Sequence, residues 1–596
     1  MKQKKRDEIA VNDTWDLTYI YKTDEEFYGE LNKIIEDFPR IEKYRGKLLE
    51  SANTLLNFLE ESDEVERKLY KLYYYAHLKL DQDTTNTYYQ EMMGKVTNLV
   101  QEYDILTSFI TPELMKGDYN KVLGYIKEEP KLEQYRFNLE CVYRYQNHSL
   151  SEEKEELLSH LSKSLGSASE VYDSITDADM TFPSLLIDGK RHELTESNYS
   201  SYLENSNRYV RKQAFTKLLG TYGNFKNTFA STYKGNVELA TSFARIKNFP
   251  SSLDAAVYPD NVTKDLYNGL IDTVSDNLNV LYKYYELKRK SLDLSNLHLY
   301  DIYAPLVKDF ERNYTFNEAK ETVLKALKVL GDDYIKNLNK AFDERWIDIY
   351  NNKGKRGGAY SSGFYDTKPY LLLNFEGRYN DVTTLAHELG HSMHTYYSCQ
   401  NEPYNLSSYN IFVAEVASTV NELILVKYLL NKTEIKEEKL FLLNKLMELY
   451  KGTIYRQVMF AEFERDMHKA CEDGEVLTYD YLNDHYYRLV QKYFGKKVVC
   501  DKVIENEWMR IPHFYSNFYV YKYAIGLSCA TKIVDDILSN KENAIENYLS
   551  FLKTGGSMHP ADELQVAGVN IYDKNLYINA IKAFESYIDE FEKLNK

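Results

Sequence analysis

The chain has 596 residues, enough for two or three domain-sized units around a large buried core. Hydrophobic residues make up 43% and charged residues 28%, the balance of a soluble globular protein. The net charge of −17 excludes the basic surface that a phosphate backbone requires, so no nucleic-acid partner is expected. No run of about 18 apolar residues occurs, so no membrane span is expected. The 5 cysteines are scattered, odd in number and without CxxC spacing, and the amino terminus has no apolar signal segment, so the chain reads as cytoplasmic.

With only 25 glycines and 11 prolines, long helices are favoured over a turn-rich all-β chain. Segments 25–38, 49–82, 85–108 and 150–166 carry apolar residues at three-to-four spacing and are predicted to be helical. Leu55, Leu56, Leu59, Leu69, Leu72 and Tyr73 form one such stripe, read as core packing. The 56 tyrosines are read as compositional, most of them in half-buried positions. Between Phe182 and Leu194 the run Leu185-Leu186-Ile187 and the tight-turn pair Asp188-Gly189 predict a small hairpin. A domain boundary is placed there, giving residues 1–185 and 186–596. Thr195-Glu196-Ser197 reads as a helix start. Residues 200–350 are again expected to be helical, interrupted at Pro250, Pro259 and Pro305. The Gly- and Ser-rich stretch 354–377 predicts two strands, near 358–363 and 370–375. From 381 onward the chain reads as helical.

The segment 381–394 contains His387-Glu388-Leu389-Gly390-His391, an HExxH pattern. Val382, Leu385, Ala386, Leu389 and Met393 give it an apolar helical face, with Asn380 or Asp381 as cap. On a helix, positions four apart lie one turn apart, so His387 and His391 point two imidazoles at one metal. Glu388 lies about 100° around the helix, suited to a general base rather than a ligand.

A catalytic zinc site needs a third protein ligand. In the metzincin pattern it would be a histidine further along the same run, but Tyr397 stands there. His394 is an alternative, three residues after His391 and at a different angle. Glu415 is the stronger candidate. It sits in an apolar helix, where a carboxylate requires a partner, either a dication or a lysine or arginine. Small neighbours Ala414, Ala417 and Ser418 permit close approach to the first helix, and Gly390, which costs a helix about 1 kcal/mol relative to Ala, fits the same contact. Glu422, two turns on, is placed to hydrogen-bond a ligand histidine.

HELGHSMH, followed 24 residues after its second histidine by the glutamate of FVAEVASTVNE, resembles the M3 metallopeptidases, with the nearest likeness to their oligoendopeptidase F branch and kinship to thimet oligopeptidase. The resemblance implies a mainly α, two-lobed, zincin-like shell around a deep channel, with a small β-sheet near the active site. Residues 186–596 would form the catalytic domain, with zinc helices within 381–430 and a substrate-facing helical part at 500–596. It implies one Zn2+ per chain held by His387, His391 and Glu415, Glu388 as base, and oligopeptide substrates. It also implies a histidine and tyrosines as oxyanion donors. The matching stretch is 511–523, whose tyrosine spacing differs from the thimet type. There His513 and Tyr519 are favoured, then Tyr515 and Tyr523, because Tyr O–H and His N–H groups are suitable donors. Two other readings stay open. A metallocarboxypeptidase would reserve a cation such as Arg356, Arg510 or Lys522 for the substrate terminus. An inert helical interaction protein would hold no metal.

Overall fold

The stripe from Leu55 to Tyr73 lies on the 31-residue helix Ala52–Gln82 in a computed structural model that describes residues 4–307 and 312–596. Ser51 caps it by accepting the Thr54 N–H at 3.1 Å. Leu55, Leu56, Leu69 and Leu72 are buried in a core with Phe27, Tyr75 and Val96, while Leu59 and Tyr73 close its margin. Each fully buried leucine contributes about 1.5–3 kcal/mol of transfer free energy, and the stripe accounts for the helix without special propensity.

By internal contact the chain forms two compact units, each assembled from three stretches. The first comprises Met1–Ser149, Arg312–Leu425 and Ile533–Gly568, and the second Leu150–Glu311, Val426–Lys532 and Val569–Lys596. In the first unit, strands Ile347–Asp348, Tyr370–Leu372 and Tyr360–Ser362 form a small sheet in that spatial order. The outer pair with Ile347–Asp348 is parallel, and Tyr360–Ser362 joins the other side antiparallel as an edge strand. Gly363 ends that edge strand. A Cβ there would meet the Pro369 Cα at 2.7 Å and the Lys368 carbonyl at 2.8 Å, so the loop closes only with glycine. The last stretch of this unit packs back onto the histidine helix: the Phe551 ring lies 5.1 Å from that of His394, and the Gly556 N–H donates to the Leu406 carbonyl at 2.7 Å.

In the second unit, Leu185–Ile187 pairs antiparallel with Lys190–His192 as expected. Asp188 and Gly189 both adopt positive φ, 51° and 78°, which a two-residue turn of this hand requires. Thr195 caps the next helix, Glu196–Leu203.

Several expectations are corrected. The first-unit strand Ile347–Asp348 and a parallel pair in the second unit, Leu297–His298 with Val498–Val499, lie in stretches read as helical. Two-residue strands are too short to show period-two alternation. The observed strands 360–362 and 370–372 are shorter than expected. Nor are the tyrosines mainly half-buried: Tyr222, Tyr233, Tyr267, Tyr284, Tyr450, Tyr486 and Tyr493 are wholly enclosed. Apart from Tyr233, their hydroxyls find partners inside, as where Tyr267 donates to the Ala461 carbonyl at 2.8 Å and Tyr486 to Glu507 at 2.7 Å. No described helix is long and apolar enough to cross a membrane.

Candidate active site

The HExxH segment lies on helix Tyr379–Asn401, and Glu415 on helix Ile411–Lys432. The first helix starts two residues earlier than expected. Arg378, not Asn380 or Asp381, holds the cap position. Asp381 instead occupies the first turn, where its carboxylate accepts the main-chain N–H groups of Arg378 at 2.8 Å and Glu376 at 3.0 Å.

His387 Nε2 and His391 Nε2 face each other at 3.2 Å. Glu415 Oε2 lies 3.4 Å from the first and 3.6 Å from the second. Three donors bonded to one tetrahedral ion at about 2.0–2.1 Å would stand about 3.3 Å apart, so the three atoms match the edges of such a polyhedron. Among the described residues this is the group of His, Cys, Asp and Glu side chains with metal-holding geometry.

Ser418 orients the third member, donating to the Glu415 carbonyl at 2.9 Å and to its carboxylate at 3.1 Å. The same serine carries the backbone that Gly390 touches. A Cβ at 390 would lie 2.6 Å from the Ser418 Cα and 2.7 Å from the Ala417 carbonyl. Glycine there lets the two helices meet at backbone contact. Asn421, unremarked in the sequence, adds a polar tie: fully buried, it donates to the Ala386 carbonyl at 3.1 Å and accepts from Tyr334 at 3.2 Å. A lone amide on an apolar helix face was the available signal.

Electrostatics divide the pair of imidazoles. Burial disfavours charge on both. At His387 the carboxylates of Glu415 and Glu422 outweigh it and hold the ring up to about 10. Glu422 lies 3.5 Å from His387 Nδ1, on the side away from the cluster nitrogen. His391 has no such second partner; burial and the charge on His387 bring it down to about 4. Glu415 is held down to about 2 by its hydrogen bond to His387. Glu388 is the reverse case. Burial, opposed by His387 and aided by Glu415, pushes its carboxyl up to about 7, while the Ser361 main-chain N–H of the edge strand pulls it back toward the charged form. A carboxyl poised near neutrality both takes and gives a proton readily.

His394 is enclosed, stacked on Tyr409 at 3.7 Å, and burial brings it down to about 3. It packs and does not join the cluster. Tyr397 accepts from Asn337 at 3.2 Å. In the second unit, His513 and Tyr515 sit on the short turn Pro512–Tyr515, before the helix Tyr521–Leu538. His513 Nε2 and the Tyr523 hydroxyl lie 3.4 Å apart, and the Tyr519 and Tyr523 rings meet edge-on at 5.4 Å. Tyr515 points elsewhere: its hydroxyl pairs with Thr232 at 2.7 Å and its ring packs on Tyr172 at 4.5 Å.

The model for Peptidase family M3 matches residues 201–583, and that for Oligopeptidase F matches residues 113–182. The chain belongs to peptidase family M3. Over 590 residues it is 42% identical to oligopeptidase PepF of Bacillus subtilis (strain 168), covering 99% of this chain and 88% of the relative. An oligoendopeptidase F homolog of Lactococcus lactis subsp. lactis (strain IL1403) is 37% identical over 596 residues, covering 99% and 98%. The crystal structure of oligoendopeptidase-F from Enterococcus faecium matches with a TM-score of 0.75 at 33% identity, covering 96% of this chain and 99% of that one. As an M3 peptidase the chain is a metallopeptidase of mainly helical fold.

Replacing Gly390 tests the helix contact. Gly390→Ala gains about 1 kcal/mol of helix propensity, but its Cβ would meet main-chain atoms rather than a yielding side chain, so the cost of forcing the backbone apart exceeds that gain and stability falls. Thermal unfolding should show the loss, and metal retained after dialysis should fall with it. An unchanged melting temperature would refute the contact argument.

Proposed function

We propose that this chain is a zinc-dependent endopeptidase that hydrolyses internal bonds of oligopeptides, with His387, His391 and Glu415 as ligands and Glu388 as general base. The observation that carries the reading is the triangle of donor atoms at 3.2, 3.4 and 3.6 Å with an uncommitted, near-neutral carboxyl one residue along the helix. Two imidazoles and one carboxylate suit zinc, and three protein ligands leave a position open. When bound, zinc lowers the pKa of water toward about 7 and draws charge from a carbonyl oxygen.

Glu388 takes the proton of the attacking water and delivers it to the departing amine nitrogen. The Ser361 N–H favours its charged form, which Glu388 holds before the first transfer and regains after the second. Glu422 keeps His387 Nδ1 hydrogen-bonded, which fixes the ring with Nε2 toward the cluster. Strand Tyr360–Ser362 is paired on one side only, and such an edge suits addition of a substrate main chain with loose side-chain preference. For oxyanion donor, His513, Tyr519 and Tyr523 keep the stronger claim, because the Tyr515 hydroxyl is engaged by Thr232.

One observation weighs against a carboxypeptidase. Each cation that might have held a substrate terminus is already paired: Arg356 with Asp81 at 2.6 Å, Arg510 with Glu196 at 2.7 Å and Lys522 with Asp260 at 2.6 Å. A peptide blocked at both ends should therefore be cut internally; a requirement for a free carboxyl terminus would reverse the assignment.

Two further outcomes are expected. Glu388→Gln should retain about one zinc per chain while kcat falls by roughly three orders of magnitude or more, the scale of a lost general base. Full activity in that variant would remove Glu388 from the reaction. The second concerns protons. His387 in the metal-free chain is held up to about 10, so near pH 7 it carries a proton, whereas His391 at about 4 does not. Ligation needs the neutral ring, so metal binding expels about one proton and affinity rises about tenfold per pH unit between about pH 6 and 8. Calorimetry in buffers of differing ionisation enthalpy measures this directly. Release of no proton would contradict the pairing of His387 with its two carboxylates.

A further inference from the structure

The first unit contains a cavity of about 370 Å3 that the hydrolytic reading leaves unused. That volume falls in the range of small-ligand sites. It is bordered by the helix Ala52–Gln82, by the loop after strand Tyr360–Ser362 and by the loop after helix Tyr379–Asn401. Its lining includes Tyr70, Tyr74, Phe364, Tyr365 and Tyr404, together with the carboxylate of Glu66. Phe364 stacks on Tyr74 with centroids 4.9 Å apart and meets Tyr70 at 6.3 Å. Tyr365 and Tyr404 meet edge-on at 5.9 Å.

Glu66 has only neutral partners for its oxygens: Ser62 at 3.3 Å and the Tyr404 hydroxyl at 3.4 Å. Among the described residues no lysine, arginine or histidine lines the cavity. Arg67 lies over the Tyr365 ring at 5.0 Å, but its guanidinium is joined to Asp366 by two hydrogen bonds, 2.6 and 2.8 Å. Burial and the neighbouring Asp63 push Glu66 up to about 7, the condition of a carboxyl without a counter-charge. Ring faces carry partial negative charge and attract an organic cation within about 6 Å. Besides the rings the lining holds Asn405, Ser407 and Ser408, all neutral, so Glu66 is the one charged ligand it could offer, a poor set for a metal ion that needs its charge balanced. The same set suits an ammonium or guanidinium group.

The cage is also close to the hydrolytic groups along two chain paths. The Ser407 carbonyl, on its wall, accepts the Ser398 hydroxyl, and Ser398 lies seven residues beyond His391, about 10 Å along the helix. Phe364 follows Ser361 by three residues, at most about 10 Å of chain. About three residues of extended substrate span that distance.

We propose that this cage receives a cationic group of the peptide substrate, a lysine or arginine side chain or a free amino terminus, and selects substrates by it. The inference rests on the peptidase reading above. Its test is a set of quenched peptides blocked at both ends, in which one lysine is moved through positions two to four residues from the cleaved bond on either side. Each is compared with its norleucine counterpart, and one further peptide has its amino terminus unblocked.

At one position lysine should raise kcat/KM about tenfold over norleucine, mainly through KM. In Glu66→Gln that ratio should fall to near one. A gain produced only by the free amino terminus, and abolished by Glu66→Gln, identifies the terminus as the occupant. A ratio near one everywhere with no gain from the terminus, or a preference untouched by Glu66→Gln, overturns the proposal. Fluorescence anisotropy of a labelled lysine peptide on Glu388→Gln protein, with and without Glu66→Gln, reads the cage without turnover. Failure of the wild-type protein to cut any peptide would instead strike the peptidase reading.

Discussion

Everything at the cluster depends on how near two helices come. A metal held by side chains from separate helices tolerates errors of only a few tenths of an ångström in donor position. Here the distance is set by backbone rather than by flexible side chains. Gly390 offers no Cβ, and the Ser418 Cα and Ala417 carbonyl occupy the space one would need. Asn421 then bonds the Ala386 carbonyl across the same interface. A hard steric stop and a directional hydrogen bond together fix the separation and the relative rotation of the helices. Ser418 serves twice, as the surface Gly390 meets and as the hydroxyl that aims Glu415.

This arrangement concentrates charge that would be unfavourable without a dication. Glu388, Glu415 and Glu422 surround two imidazoles, and desolvation acts on His387, His391, Glu388 and Glu415. Burying like charges together is costly unless an opposite charge compensates them. The metal-free chain compensates partly with one proton on His387. A divalent ion bound there would replace that proton with twice the charge, at the point where three donors converge. The donor triangle is thus both a geometric and an electrostatic fit, and the two properties have separate origins: one in helix packing, the other in the choice of carboxylates on both helices.

The legibility of this protein from sequence follows the range of each interaction. Period 3.6 revealed the helices, and the i, i+4 spacing of His387 and His391 needs nothing beyond one helix. Glu415 was legible because a carboxylate in an apolar helix demands a partner, and Gly390 because a helix tolerates glycine only for a reason. The Ser361 N–H beside Glu388 was not, since a main-chain donor leaves no mark in side-chain identity, and the lone amide of Asn421 gave no sign that the Ala386 carbonyl was its partner. The cap moved from Asn380 or Asp381 to Arg378 because Asp381 bonds backward from the first turn. The two-residue strands escaped notice because they are shorter than the period that would betray them. Tyrosine misled in the opposite direction. Its hydroxyl suggested a half-wet position, yet interior carbonyls and carboxylates were available to satisfy it.

The order in which the chain is threaded has a consequence for biosynthesis. The unit bearing the histidines and Glu415 draws on residues as late as Gly568, and Phe551 and Gly556 close over His394 and Leu406. A ribosome emits residues from the amino terminus at about 5–20 per second, so this unit lacks its final stretch until residue 568 has been made. Until then the histidine helix lacks the Phe551 ring that encloses His394, and a chain cut short before that point lacks it permanently.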